Sequence, residues 1–417
     1  MAEQPSLAPF GLQDFLTSVK PPITSNSVAH FNHYTVKNDA ASTRIVVHGR
    51  FPVLVQQFLA HKRLHGSSAE RALYHARWTW QQQVSRLVEK RALVFLGRGD
   101  FTVLRNGEQI GGAYREWDRV GTEEERFNRH LFLRDYLSYD EIMLSSLIGV
   151  SGPSFFINDG RRDNMGRPGR VGEFEPRGII VGLVGARFER DDRMDSAYVI
   201  KSVRNARQHP ELRDIFFEFF GRNRNPALNF DAVVYKARIR ITADILFIEA
   251  SRRAKDMGKK AYVYVVGLGL GVWASDPNQT KFYVQAFLAS LADLGDDLSH
   301  IGTVEFAYID EAVLGFKSQS FVLGPSRTAI DVRCSRRNPA AKLRGVDANH
   351  LLVLSYAWDG NSFPGNEFWI GSLAATGDPA AACMSNIGEL HNPMINPGLL
   401  NRIEVLEHSP RVSNWQS

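Results

Sequence analysis

With 417 residues, 44% of them hydrophobic and 23% charged, the chain has the makeup of a globular protein with a large core, and its length allows two or three domains. The 50 basic and 45 acidic residues leave a net charge of +5 without a lysine-rich tail or long basic run, which argues against a nucleic-acid-binding protein. Two cysteines, Cys334 and Cys383, stand far apart and outside any metal-ligand spacing, so a reducing, cytoplasmic setting is expected. No apolar run approaches the roughly 20 residues that span a bilayer, and the first nine residues lack the basic and apolar regions of a signal peptide; no membrane association is expected.

The first fifty residues show no clear period and read as irregular. Over residues 51–96 apolar side chains recur at helical spacing: Val53, Val55, Phe58 and Leu59, then Ala72, Leu73, Ala76 and Trp80, with Gly66-Ser67-Ser68 between two helices. Asn106-Gly107 between short alternating runs signals a hairpin. Thr122 with Glu125, and Ser138 with Glu141, have capping-box spacing and predict helix starts. Residues 1–130 therefore read as a mainly helical region ahead of a larger domain over 131–405, with a polar tail at 406–417. Asn158 and Asp159 follow an aromatic turn and precede a glycine-rich loop bearing Arg161, Arg162, Arg167 and Arg170. That stretch fits either a solvated loop or the lining of a nucleotide pocket.

Residues 178–188 read as a central strand, Pro210–Phe220 as a helix with Pro in its first turn, and residues 239–255 as a long helix ending at Gly258. Strands and helices then alternate, which predicts an α/β fold with a largely parallel sheet. The apolar run 261–266 leads into Gly267-Leu268-Gly269-Leu270-Gly271-Val272-Trp273 and then Ser275-Asp276-Pro277, a helix start. Such a loop lets backbone N–H groups approach a phosphate, with the positive end of a helix behind them. A dinucleotide fingerprint would need Gly where Val272 stands, which disfavours a nicotinamide-dependent oxidoreductase.

A second apolar run, Leu351 to Leu354, ends in Trp358-Asp359-Gly360-Asn361-Ser362-Phe363-Pro364-Gly365-Asn366-Glu367-Phe368-Trp369, a sharp turn that combines carboxylates with aromatic surface. Gly377-Asp378-Pro379 follows as a helix start with Asp at the N-cap. Asp359, Glu367 and Asp378 can thus converge over one sheet edge, where open α/β sheets place ligands. His391 reads as a structural histidine. The absence of His-Glu-x-x-His and paired Cys-x-x-Cys spacings gives no expectation of a metal site, and the absence of a Gly-x-Ser-x-Gly elbow disfavours serine hydrolase chemistry.

The glycine loop together with the aromatic turn and Gly-Asp-Pro-Ala-Ala-Ala resembles the atypical macrodomain family of MavL-like arginine-specific ADP-ribosyl hydrolases, over roughly residues 136–397. The resemblance implies a macrodomain-like three-layer α/β/α sandwich that hydrolyses the bond between ADP-ribose and arginine on modified proteins, ubiquitin among the candidates. It implies ADP-ribose as ligand and product, with no cofactor required. By the same resemblance Asp359, Glu367 and Asp378 are the catalytic carboxylates, with Glu367 standing where the family can have Asp. Gly267, Gly269, Leu270, Gly271, Val272, Trp273, Asn158, Asp159, Asn361 and Asn366 are the expected ligand contacts. Such a reaction needs fixed negative charge beside an oxocarbenium-like carbon and a base for water, which carboxylates supply. A non-catalytic ADP-ribose reader is the alternative.

Overall fold

The computed structural model describes residues 25–202, 207–369 and 384–407, without the side chains of Glu367 and Phe368. Nine short segments dense in β-branched and aromatic residues pair into one sheet: β1 Arg44–His48, β2 Ile148–Phe155, β3 Arg177–Leu183, β4 Ala261–Val265, β5 Ile301–Ala307, β6 Ser318–Leu323, β7 Thr328–Ser335, β8 Leu351–Ala357 and β9 Ile403–Leu406. Their order across the sheet is β9-β1-β2-β3-β8-β4-β5-β7-β6. Strands β3, β8, β4, β5 and β7 run parallel; β2 and β6 oppose their neighbours, and β1 pairs parallel with β9. The α/β class is thus as expected. Strand β4, Ala-Tyr-Val-Tyr-Val, is buried throughout, the near-continuous apolar composition that a strand covered on both faces requires.

The region ahead of residue 131 carries helices, among them α1 Phe51–His65, but it also supplies β1 to the main sheet and a small antiparallel sheet of Val94–Leu96, Phe101–Val103 and Gln109–Ile110. The last of these strands closes through Gly107 at φ 87°, the turn that Asn106-Gly107 signals. Ser138 and Glu141 form the expected reciprocal capping box at the start of α2, Tyr139–Ser145. Thr122 caps only a 3-10 turn: Glu125 spends its carboxylate on the N–H groups of Gly121 and Leu133 and does not reach back to Thr122. Leu406 ends β9, and residues 408–417 lie outside the described residues.

Behind the sheet, α3 Pro210–Phe220, α4 Ala232–Asp256 and α5 Gln279–Leu294 complete the core. Phe287 of α5 stacks edge-on against Phe247 of α4 at 5.6 Å and Phe306 of β5 at 5.9 Å. Helix α4 is buried almost all round, and its buried charges survive there because each is paired. Glu249 accepts from Arg44 of β1 at 2.8 Å and from Arg253 one turn on at 2.7 Å. Asp244 takes Arg240 at 2.7 Å and faces His48 at 3.5 Å. Among the described residues, no helix is long and apolar enough to cross a membrane.

Burial alone would raise the Glu249 carboxyl; Arg253 and Arg44 outweigh it and hold it below the ordinary range. A carboxylate with a depressed folded-state pKa adds stability above its unfolded value of about 4.3, and that stability is lost as pH falls. Glu249→Gln leaves Arg44 and Arg253 facing a neutral group, and the expected cost at pH 7 is about 3–5 kcal/mol. Urea unfolding at pH 7 and pH 4 checks this: the gap between wild type and variant narrows on acidification.

Candidate active site

Because β3, β8 and β4 are adjacent and parallel, the segments leaving their carboxyl ends emerge side by side. These are the stretch after Leu183, the aromatic turn after Ala357 and the glycine loop after Val265. Ser355 in β8 pins two of them: its hydroxyl donates to the Tyr264 carbonyl at 3.0 Å and accepts from the Val266 N–H at 3.0 Å. Tyr283 of α5 donates to the Val266 carbonyl at 2.7 Å, fixing where the glycine loop departs.

The glycines of that loop differ in what they do. Gly269 lies at φ +75°, and a Cβ there would sit 2.8 Å from the Ala186 carbonyl; a Cβ on Gly185 would come within 2.5 Å of the Leu268–Gly269 peptide. Gln279, buried at the start of α5, donates to the Gly269 carbonyl at 3.0 Å and accepts from the Ser275 N–H at 2.8 Å, closing the loop onto the helix. Gly271 has open space where a side chain would go, and Val272 beside it is 95% exposed. Among the described residues the N–H groups of Gly271, Val272 and Trp273 have no acceptor, so they remain available to an anion.

Arg187, just beyond β3, joins this loop to the aromatic turn. Its guanidinium is 2% exposed, lies 4.6 Å from the Trp273 ring centre and donates to the Asp359 carbonyl at 2.7 Å. Glu189 receives two further bonds from it, at 2.9 and 2.6 Å. Burial favours the neutral form of Arg187, but the carboxylates of Glu189 and Asp359 outweigh that and raise its pKa. The backbone at Arg187 is held in turn by Asp195, which accepts its N–H at 2.9 Å and forms a fully buried ion pair with Arg238 of α4 at 2.9 Å.

In the aromatic turn, the Asp359 carboxylate accepts from the Asn366 amide at 2.8 Å. Trp358 donates to the Ser362 carbonyl and Trp369 to the Pro364 carbonyl, so both indoles serve the turn itself. Arg91 stacks 3.7 Å from the Trp358 ring centre, and burial lowers its pKa to about 9. Asn361 is 1% exposed with both side-chain polar atoms unpaired among the described residues; the Asn366 Oδ1 and Trp273 Nε1 atoms share that condition. Buried polar atoms without partners are uncommon, and here they cluster within the two loops.

Two expected contacts are not at this edge. Strand β2 runs antiparallel to β3, with Phe155 opposite Arg177, so Asn158 and Asp159 lie at the other end of the sheet from the glycine loop. There Asn158 caps Gly160 and binds the Arg167 carbonyl, while Asp159 accepts from Asn164 and Asn338, both at 2.7 Å; these are structural loop contacts. The backbone of Glu367 lies in the short helix Asn366–Trp369 next to Asp359, while its side chain and all of Asp378 fall outside the described residues. His391 is fully buried beside the Tyr356 hydroxyl at 3.2 Å, and burial lowers its pKa to about 3, the behaviour of a neutral core histidine. Arg187 was not among the expected site residues, and the sequence signal for it was slight: an Arg directly after a buried strand and a Gly-Ala pair.

Fold and site together define an α/β protein in which a glycine loop with amides unpaired among the described residues and a turn bearing Asp359 share one sheet edge. The sequence profile of the family described as ADP-ribosylhydrolase MavL-like matches residues 17–211 and 214–409. ADP-ribosylarginine hydrolase CG2909 of Drosophila melanogaster is 35% identical over 403 residues, covering 88% of this chain and 79% of the relative. ADP-ribosylarginine hydrolase CG3568 of the same fly is 36% identical over 434 residues, covering 95% and 82%. The chain belongs to the MavL-like ADP-ribosylhydrolase family.

Gly271→Ala separates ligand contact from packing. Its Cβ meets nothing, so stability should stay within about 0.5 kcal/mol of wild type, whereas ADP-ribose affinity should fall about tenfold. Gly269→Ala should weaken both. Calorimetric titration alongside thermal unfolding distinguishes the two outcomes.

Proposed function

We propose that this chain hydrolyses the N-glycosidic bond between ADP-ribose and arginine side chains of modified proteins, on a macrodomain-type version of the α/β fold. The observation that carries the reading is Arg187, whose guanidinium sits between Trp273 of the glycine loop and the backbone of Asp359 in the aromatic turn. One ligand can thereby reach both loops. Its diphosphate rests on the free amides of Gly271, Val272 and Trp273, and its distal ribose extends toward Asp359.

In this reaction the bond from the anomeric carbon to the guanidinium nitrogen breaks with its electrons leaving on nitrogen. A fixed carboxylate stabilises the positive charge left on the ribose. Water adds to that carbon and gives up a proton, which a carboxylate accepts and the departing guanidine finally takes. Asp359, held by Asn366, is the ribose or guanidinium contact in this account, and Glu367 or Asp378 is the base for water. The names of the two fly relatives support arginine as the linkage. ADP-ribosylated ubiquitin as substrate, and a cytoplasmic setting, belong to the same proposal.

Release of ADP-ribose from arginine-modified protein should fall about 10²–10³-fold in Asp359→Asn and in at least one of Glu367→Gln and Asp378→Asn, with ADP-ribose binding largely kept. Glutamate- and serine-linked substrates should turn over poorly. Wild-type rates in all three variants would remove the assignment, and binding without any release by the wild-type chain would mark a reader instead of an enzyme.

A further inference from the structure

Away from the ligand loops, the last turn of α1 faces the start of α3. His61 and His65 lie one turn apart on the same face of α1, opposite His209 at the N-cap of α3 and Glu211 in its first turn. The three imidazoles pack ring against ring: His61 to His65 at 4.9 Å, His61 to His209 at 4.8 Å and His65 to His209 at 5.0 Å between centroids. The Glu211 carboxylate stands 3.0 Å from His65 Nε2 and 3.7 Å from His61 Nδ1. Ligand atoms of His61, His209 and Glu211 all fall within 4.8 Å of one another.

His61 is buried at the inner edge of the cluster. Lys62 is committed to Glu70 at 2.7 Å and Asp140 at 2.6 Å, so it does not compete for Glu211. Imidazoles together with one carboxylate are a ligand set suited to Zn²⁺ and its first-row neighbours. We propose that His61, His65, His209 and Glu211 form a binding site for a zinc-type divalent cation that clips α1 to α3.

A tetrahedral ion with ligands at about 2.0–2.1 Å separates its donor atoms by about 3.4 Å, so donor atoms now up to 4.8 Å apart must close by as much as about 1.4 Å. His65, His209 and Glu211 are surface side chains with room to make that adjustment, while buried His61 gives a fixed point. The Gln208 side chain, bonded to Asp140 at 3.0 Å, holds the residue next to His209 against the same end of α1 that carries Lys62. His61-x-x-x-His65 has the i, i+4 spacing that places two imidazoles on one helix face, and its partners arrive from almost 150 residues away in the chain.

The test uses the full chain without an affinity tag, stripped with chelator and titrated with Co²⁺ and then Zn²⁺. The expected result is uptake of one ion per chain with the intense visible absorption of four-coordinate Co²⁺, its displacement by Zn²⁺, and a thermal midpoint raised by a few degrees. His209→Ala and Glu211→Gln alter only surface groups and should fold; each should weaken Co²⁺ binding at least tenfold while ADP-ribose binding stays unchanged. No uptake by the stripped wild-type chain, or equal uptake and equal thermal response in both variants, would overturn the proposal. Because the readout is the bound ion itself, its outcome is independent of the hydrolase reading.

Discussion

A guanidinium removed from water must be compensated, and the way Arg187 meets that demand organises the edge where the two loops meet. Two bonds go to Glu189, one to the Asp359 backbone, and its flat face rests on Trp273. Glu189 is its near neighbour, but Trp273 and Asp359 come from distant segments, so satisfying this one cation fixes the glycine loop, the aromatic turn and the stretch after β3 relative to one another. Asp195 and Arg238 extend the arrangement into α4, tying the position of the loop to the packed helical layer. A loop held this way loses little further freedom when a ligand binds, which is how a surface edge becomes a preorganised site.

The same edge exists only because β3, β8 and β4 run in the same direction. Parallel neighbours send their carboxyl ends to one side, and the Ser355 hydroxyl, bridging Tyr264 and Val266, keeps the β4 exit in register with β8. Gly185 and Gly269 let two backbones approach more closely than side chains would allow. Gly271 faces open space and has no such packing duty. The glycine loop thus combines a tightly packed inner half with an outer half whose amides have no acceptor among the described residues.

Much of this was legible in the sequence. The apolar runs before both loops, the glycine spacing, the Ser138–Glu141 cap and the Asn106-Gly107 turn each follow from local chemistry, and local chemistry is what a sequence shows directly. Strand direction is not local. Asn158 and Asp159 follow a well-formed strand, but β2 runs against β3 and carries them to the far end, where they cap their own loop. Nor does periodicity reveal that Arg44–His48 slots between β9 and β2, because that pairing joins segments more than a hundred residues apart. Arg187 escaped notice for a similar reason: its importance lies in partners that only the folded chain assembles.

The central claim is that one ligand spans both loops across Arg187. A crystal structure of the chain with ADP-ribose tests it most directly. The account predicts diphosphate oxygens within hydrogen-bonding distance of the Gly271, Val272 and Trp273 amides, with the distal ribose against Asp359. A ligand bound elsewhere, or one that touches the glycine loop while its distal ribose points away from Asp359, would contradict it.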